Sequence, residues 1–337
     1  MLMPDQMQLF DALYLLAAGN GREEALFGDS VKLARDAFER TLIGTEMPSA
    51  YLEFPLLGEP CFDLLSVHGT VERGTQFAPG AGYGRQAMFD WFSGIEDDSV
   101  SCGLEIDTST GEAERAGVYF QQRKRTELVA PFLDSIGESA RLRGYMDVFE
   151  RMPEGWPPAY IGLFPGREGT PLRLGGYMAN QTRLDIAHDP RKLGTFFDQI
   201  GFEAYDKEML WDCAEFMGLA PSVDFQFDIM PDGSLGPTFG LSLSFNETRP
   251  REAHERMSTG YGAKVCEKMQ SWGLADDRWR LIADAAFARH VPIEREDGSE
   301  MRLALCVLFN FAKIKFTNAQ ARPGKFYLIL TAQELKQ

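Results

Sequence analysis

A chain of 337 residues that is 44% hydrophobic can bury a large core, while a formal charge of −16 argues against a nucleic-acid backbone or an anionic membrane as its main partner. Cys61, Cys102, Cys213, Cys266 and Cys306 are scattered without CxxC spacing, which reads as reduced cytoplasmic thiols rather than a disulfide framework. The opening MLMPDQMQLFDALYLLAAG has an apolar patch, but its acidic residues and the spacing of Leu9, Leu13 and Leu16 describe an amphipathic helix, not a signal peptide.

In chain order, residues 5–18 and 29–43 are expected to be helices, the second capped by Asp29 or Ser30 and stopped by Gly44. AYLEFPLLGEPCFDLLSVHGTVE then gives two apolar-rich strands around Gly58-Glu59-Pro60. The glycine-rich GTQFAPGAGYG, read as a lid, leads into a helix at RQAMFDWFSGI. SCGLEIDTSTGEAERAGVYFQQR alternates around a polar turn as a second hairpin. Helical pattern resumes over 127–152 with a break near 135–137, and PAYIGLFPGREGTPLRLGGYMAN is a third hairpin. Helices over about 190–200 and 206–218 precede the clearest stretch of all, PSVDFQFDIMPDGSLGPTFGLSLSFN. There Val223, Phe225, Phe227 and Ile229 oppose Asp224, Gln226 and Asp228. After the Pro-Asp-Gly turn, Phe239, Leu241, Leu243 and Phe245 oppose Gly240, Ser242, Ser244 and Asn246. Helices near 251–272 and 276–288, a polar turn at REDGSE, and a fifth hairpin around Ala321-Arg322-Pro323-Gly324 close the chain.

The order is helix-helix-hairpin five times, one copy short of its first helix, with no linker to split it, so a single domain over 1–337 is expected. The fold class is α+β. Ten antiparallel strands with a helical layer on one face either stay open or curl into a barrel, and closure removes the exposed edges. In a closed ten-stranded antiparallel β-barrel surrounded by helices, the apolar faces pack outward and the polar faces line a chamber.

The inward set under that reading starts with Tyr51, Glu53, Ser66, His68 and Thr70 on the first hairpin. It continues with Glu105, Asp107, Tyr119, Gln121 and Arg123 on the second, and Tyr160, Phe164, Arg173 and Tyr177 on the third. The fourth adds Asp224, Gln226, Asp228, Ser242, Ser244 and Asn246, and the fifth Phe309, Phe311, Lys313, Lys315, Lys325 and Tyr327. Aromatic rings can shield a greasy group, cations can hold an anion and a carboxylate can take a proton, although the solvated face of an open sheet has the same composition. The acidic pairs Asp97-Asp98 and Asp276-Asp277 do not complete a DDxxD spacing, and the second is expected to cap a helix. The four histidines show no metal-ligand spacing.

This architecture resembles the ABBA-type (αββα) aromatic prenyltransferase barrel, and the resemblance covers nearly the whole chain as pattern. In letters it rests on AYLEFPL, on AKIKFTNAQARPGKFYLIL, and on GLEIDTSTGEAERAGVYF, which is similar to the matching hairpin of prenyltransferases that act on ribosomally made peptides. The resemblance implies transfer of an isoprenyl group from an allylic diphosphate to an electron-rich acceptor, a small aromatic molecule or a peptide. It implies Glu53 as the base, with Glu105 and Asp224 behind it, and Arg173, Tyr177, Lys313, Lys315, Lys325 and Tyr327 on the diphosphate. Tyr119, Tyr160, Phe164, Gln226, Phe309 and Phe311 complete the prenyl and acceptor pocket. The fourth hairpin departs from the pattern, since Ser242, Ser244 and Asn246 bring no cation. The lumen carboxylates would repel diphosphate unless Mg²⁺ bridges them or a cationic acceptor (guanidinium, imidazole or amine) sits among them. The competing reading is a barrel that binds a hydrophobic ligand or peptide without chemistry.

Overall fold

The computed structural model describes residues 23–28, 49–69, 83–107, 117–165, 169–245, 250–285, 287–294 and 300–334. The helices expected over 5–18 and 29–43, nearly all of GTQFAPGAGYG, most of REDGSE, and Thr70 and Asn246 lie outside these residues.

Alternating residues of high β-propensity give strands β1 (Ser49–Pro55), β2 (Asp63–His68), β3 (Ser101–Asp107) and β4 (Gly117–Gln121). They are followed by β5 (Pro158–Leu163), β6 (Leu172–Tyr177), β7 (Ser222–Ile229) and β8 (Leu235–Ser244). Last come β9 (Phe287–Glu294), β10 (Glu300–Thr317) and β11 (Gln320–Glu334). Each of β1 to β7 pairs antiparallel with the next, β8 pairs with β10, β10 with β11, and β11 returns to β1. These ten strands close a barrel, and β9 pairs alongside the first half of β10.

Helices cover the outside. Residues 127–152 are broken into Val129–Ser135 and Leu142–Arg151, with Gly137 at φ 77° supplying the left-handed turn between them. The helices Asn180–His188, Arg191–Ile200 and Lys207–Leu219 follow β6, the last capped by Asp206, which accepts from the Met209 N–H at 2.8 Å. Pro250–Ser258 and Tyr261–Ser271 complete the layer. The core lies between these helices and the outer face of the barrel, where Phe197, Phe202, Phe227 and Phe239 pack together and Trp156 stacks on Phe196 with ring centroids 3.6 Å apart. Among the described residues no helix is long and apolar enough to cross a membrane.

Three local expectations are corrected. The fifth hairpin turns at Asn318 and Ala319, with φ of 50° and 60°, not at Ala321-Arg322-Pro323-Gly324. Pro323 and Gly324 instead form a bulge opposite Ile314, a position that tolerates proline because no ladder N–H is needed. The helix expected over 276–288 shrinks to Trp279–Ile282, because the β-branched and aromatic run beginning at Phe287 finds β10 as a partner. The helix expected over 251–272 is interrupted at Gly260, where a Cβ would stand 2.7 Å from the Arg256 Cα. A further helix, Asn180–His188, was not anticipated.

Trp156 joins the third hairpin to the helical layer, so Trp156→Ala is expected to cost about 3–5 kcal/mol of stability in equilibrium urea unfolding.

Candidate active site

Inside the barrel is a cavity that opens to solvent, about 750 Å³ of atom-free space with its open mouth counted. Its wall comes from every hairpin: Tyr51 and Glu53, Glu105 and Tyr119, Tyr160, Phe164, Arg173 and Tyr177, Asp224, Gln226 and Ser242, and Phe311, Lys313 and Tyr327. Tyr51, Gln121, Tyr177 and Asp224 stand near the strand ends at one mouth, and Asp63, Arg173, Asp228 and Lys325 near those at the other.

The charged centre is built where the last strand meets the first. Glu53 lies opposite Tyr327 in the β1–β11 ladder and is 2% exposed. The Tyr327 hydroxyl donates to its carboxylate, Lys325 Nζ lies 2.5 Å from its Oε1 and 3.2 Å from Asp63, and Lys313 Nζ donates to the Tyr327 oxygen at 3.4 Å. Burial acts to raise the Glu53 pKa, but Lys325, Lys313 and Lys315 outweigh it and hold the carboxyl ionised, well below the usual carboxylate range. Lys315 is opposite Gly240 and Arg322, beyond the cavity wall but close enough to act on that charge.

Arg173 forms a second centre. It is 2% exposed, donates through Nε and Nη2 to Asp228 Oδ1 at 3.0 and 2.9 Å, and lies 4.3 Å above the Phe164 ring. Phe311 connects the two halves of the wall, with its ring 4.0 Å from Tyr327 and 6.3 Å from Tyr51. At the other mouth burial pushes Asp224 up to about 7 and Tyr51 up to about 12. Tyr51, Tyr160 and Tyr177 all stand near enough to feel the Asp224 charge.

Glycines make room for these large side chains. Gly103 and Gly175 face Tyr119 and Tyr160 across the ladder, and a Cβ at Gly175 would fall 1.9 Å from the Tyr160 Cζ. Gly117 and Gly162 admit the Phe164 ring in the same way. Cross-strand pairing of glycine with an aromatic ring is a signal that strand alternation alone did not use.

Several expected lumen residues face elsewhere. Ser66 and His68 point outward, hydrogen-bonded to one another at 3.1 Å, with His68 edge-on to Phe89 and burial pushing it down to about 4. Asp63, Leu65 and Val67 take the inner face instead, because Asp63 pairs with Glu53 and Leu65 with Tyr51, and directly paired residues share a face. Phe309 is likewise outside, packed on Phe326, because a bulge at Asn310 shifts the alternation before Phe311. Tyr119 lines the cavity, but its hydroxyl is committed to the Ser66 carbonyl at 2.8 Å. Arg123 lies in the turn after β4, exposed and near Tyr177. The cap expected of Asp276-Asp277 does not form: the helix Trp279–Ile282 has Arg278 at its N-cap and no side-chain cap bond, and Asp276 instead accepts from the Arg278 N–H at 3.0 Å in the turn before it. Among the described residues no group of three or more His, Cys, Asp or Glu side chains is placed to hold a metal ion.

Closure and helical layer together define the fold, the ABBA (αββα) barrel seen in aromatic prenyltransferases. AnaPT from Neosartorya fischeri superimposes with a TM-score of 0.54 at 10% identity over 98% of this chain and 95% of that one. The 5-dimethylallyl tryptophan synthase from Streptomyces coelicolor, in complex with DMASPP and Trp, gives 0.52 at 14% identity over 96% and 94%. The prenyltransferase PriB, with L-tryptophan and dimethylallyl thiolodiphosphate, gives 0.51 at 12% over 96% of both chains. No family model matches the sequence, and no curated protein does.

Two measurements probe this wall. Lys325→Met leaves the buried Glu53 charge without its nearest cation and is expected to cost about 3–5 kcal/mol in denaturant unfolding, with part of the loss recovered in the double variant with Glu53→Gln. Asp224 binds its proton more tightly folded than unfolded, so wild-type stability falls as pH rises from about 4 to about 7. The stability gained by Asp224→Asn should therefore grow across that window, by at most ~1.4 kcal/mol per pH unit, and level off above it, as followed by thermal melting.

Proposed function

We propose that this chain transfers an isoprenyl group from an allylic diphosphate to an electron-rich acceptor. The reading is carried by one observation: Lys313, Arg173 and Tyr327 share a chamber with the rings of Tyr51, Tyr160, Phe164 and Phe311, with Lys325 paired to the lining Glu53, inside a barrel whose structural neighbours hold a dimethylallyl donor analogue and tryptophan. Lys313, Lys325, Arg173 and the Tyr327 hydroxyl would stabilise charge as it builds on the departing diphosphate. The aromatic wall would keep water from the allylic cation until the acceptor meets it. Attack by an aromatic carbon makes a strongly acidic cationic adduct, so even a carboxylate of low basicity can remove its proton, and Glu53 is held in the ionised form for that step. An acceptor on a peptide, with a guanidinium, imidazole or amine among the lumen carboxylates, extends the same reading, as does a role in peptide natural-product biosynthesis in the cytoplasm.

A second reading, a barrel that binds its ligand without chemistry, draws on the pairing of Lys325 and Arg173 with carboxylates and on the lack of a cation at Ser242 and Ser244. The two separate in one assay. Incubation with dimethylallyl or geranyl diphosphate and a panel of aromatic amino acids and peptides is expected to yield products heavier by the isoprenyl unit in mass spectrometry. Lys313→Ala is expected to lower kcat/KM about 10²-fold. Analogue binding without product from any acceptor would favour the second reading, and failure of the diphosphate analogue to bind would remove the first.

A further inference from the structure

Gln226, on the lumen face of β7, is 3% exposed. Its Oε1 accepts from the Tyr160 hydroxyl at 3.4 Å, while its Nε2 is buried and has no hydrogen-bond partner among the described residues. The amide lies over Gly240, where a Cβ would fall 2.2 Å from Nε2, so a residue without a side chain is what lets the carboxamide occupy this place in the wall. A buried donor left unmade is costly, and this one lines the lumen cavity, where a ligand would supply its acceptor.

The next inward position toward the mouth is Asp224, about 7 Å away along the strand. It stands between Tyr177 on β6 and Ser242 on β8, with Tyr51 and Tyr160 close enough to couple to its charge and Arg123 near Tyr177 at the rim. A carboxyl among tyrosine rings suits an organic cation, since ring faces and carboxylate attract it together. The two side chains thus present complementary demands on one ligand: a positive nitrogen for Asp224 and an acceptor oxygen for Gln226.

We propose that Asp224 and Gln226 form a two-point anchor for the acceptor substrate, which would carry an ammonium group next to a carbonyl, as an amino-acid or peptide amine does. This assignment rests on the prenyl-transfer reading for calling that ligand the acceptor. It makes both residues determinants of specificity and leaves the chemistry to the charged centre around Glu53.

Calorimetric titration of the full chain at pH 7.5, without donor, tests it with three probes: L-tryptophanamide, tryptamine (no carbonyl) and indole-3-propionamide (no amine). Tryptophanamide is expected to bind about tenfold more tightly than either of the others. Gln226→Leu should erase its advantage over tryptamine while keeping that over indole-3-propionamide, and Asp224→Asn should do the reverse. The wild-type comparison needs no variant to fold. Equal affinities for tryptophanamide and tryptamine, an advantage that survives Gln226→Leu, or no binding of any probe would each overturn the anchor. Titration with dimethylallyl thiolodiphosphate on the same samples separates the two ideas. Donor-analogue binding with the amines ignored defeats the anchor alone. The expected amine order with the analogue ignored defeats prenyl transfer and leaves the anchor as the ligand site of a binding barrel.

Discussion

The antiparallel ladder between β1 and β11, from Ala50↔Leu330 to Pro55↔Lys325, joins the first described strand to the last and turns a curled sheet into a closed wall. Everything in the chamber depends on it. Side chains on one face of a sheet otherwise share only solvent, and here closure gives them a common interior of lower polarity. The ladder also sets the chemistry at its own seam, since pairing Glu53 with Tyr327 and Pro55 with Lys325 brings a carboxylate, a phenol and an ammonium within contact of one another.

That seam explains how carboxylates and cations can coexist inside one barrel. Glu53 and Asp63 share Lys325, and Asp228 takes Arg173, so the charges are compensated locally before any ligand enters. Asp224 has been placed differently: burial dominates its surroundings, its proton affinity is high, and its neighbours are phenols. The lumen is therefore divided between a charged centre and a mouth of tyrosines with a carboxyl. Such a division sets this lumen apart from a uniformly basic anion site. The glycines opposite Tyr119, Tyr160 and Gln226 maintain it by letting bulky side chains lie across the neighbouring strand instead of filling the centre.

Much of this was legible before the fold was seen. Strict alternation in β7 and β8 gave the faces of the fourth hairpin correctly, and the fivefold repeat of hairpins gave the barrel. Glu53, Arg173, Lys313 and Tyr327 follow from the same rule. The failures are also of one kind. In β2, apolar and polar residues fall on both faces, so alternation had no phase to offer, and Ser66 and His68 were placed inside. In β10, a single extra residue at Asn310 reversed the phase and carried Phe309 to the outer core. Pro323-Gly324 has the composition of a turn and serves as a bulge.

The amino-acid sequence alone determined which segments are strands, which side of most strands is polar, and which reactive groups are available, because period and residue type are local properties. Tertiary structure decided which of those groups meet. Register across β1, β2 and β11 chose Asp63 over Ser66 as the companion of Glu53, and Gly240 left room for the buried amide of Gln226. Those outcomes depend on pairings between residues far apart in the chain, where a shift of one position sends a side chain to the opposite face.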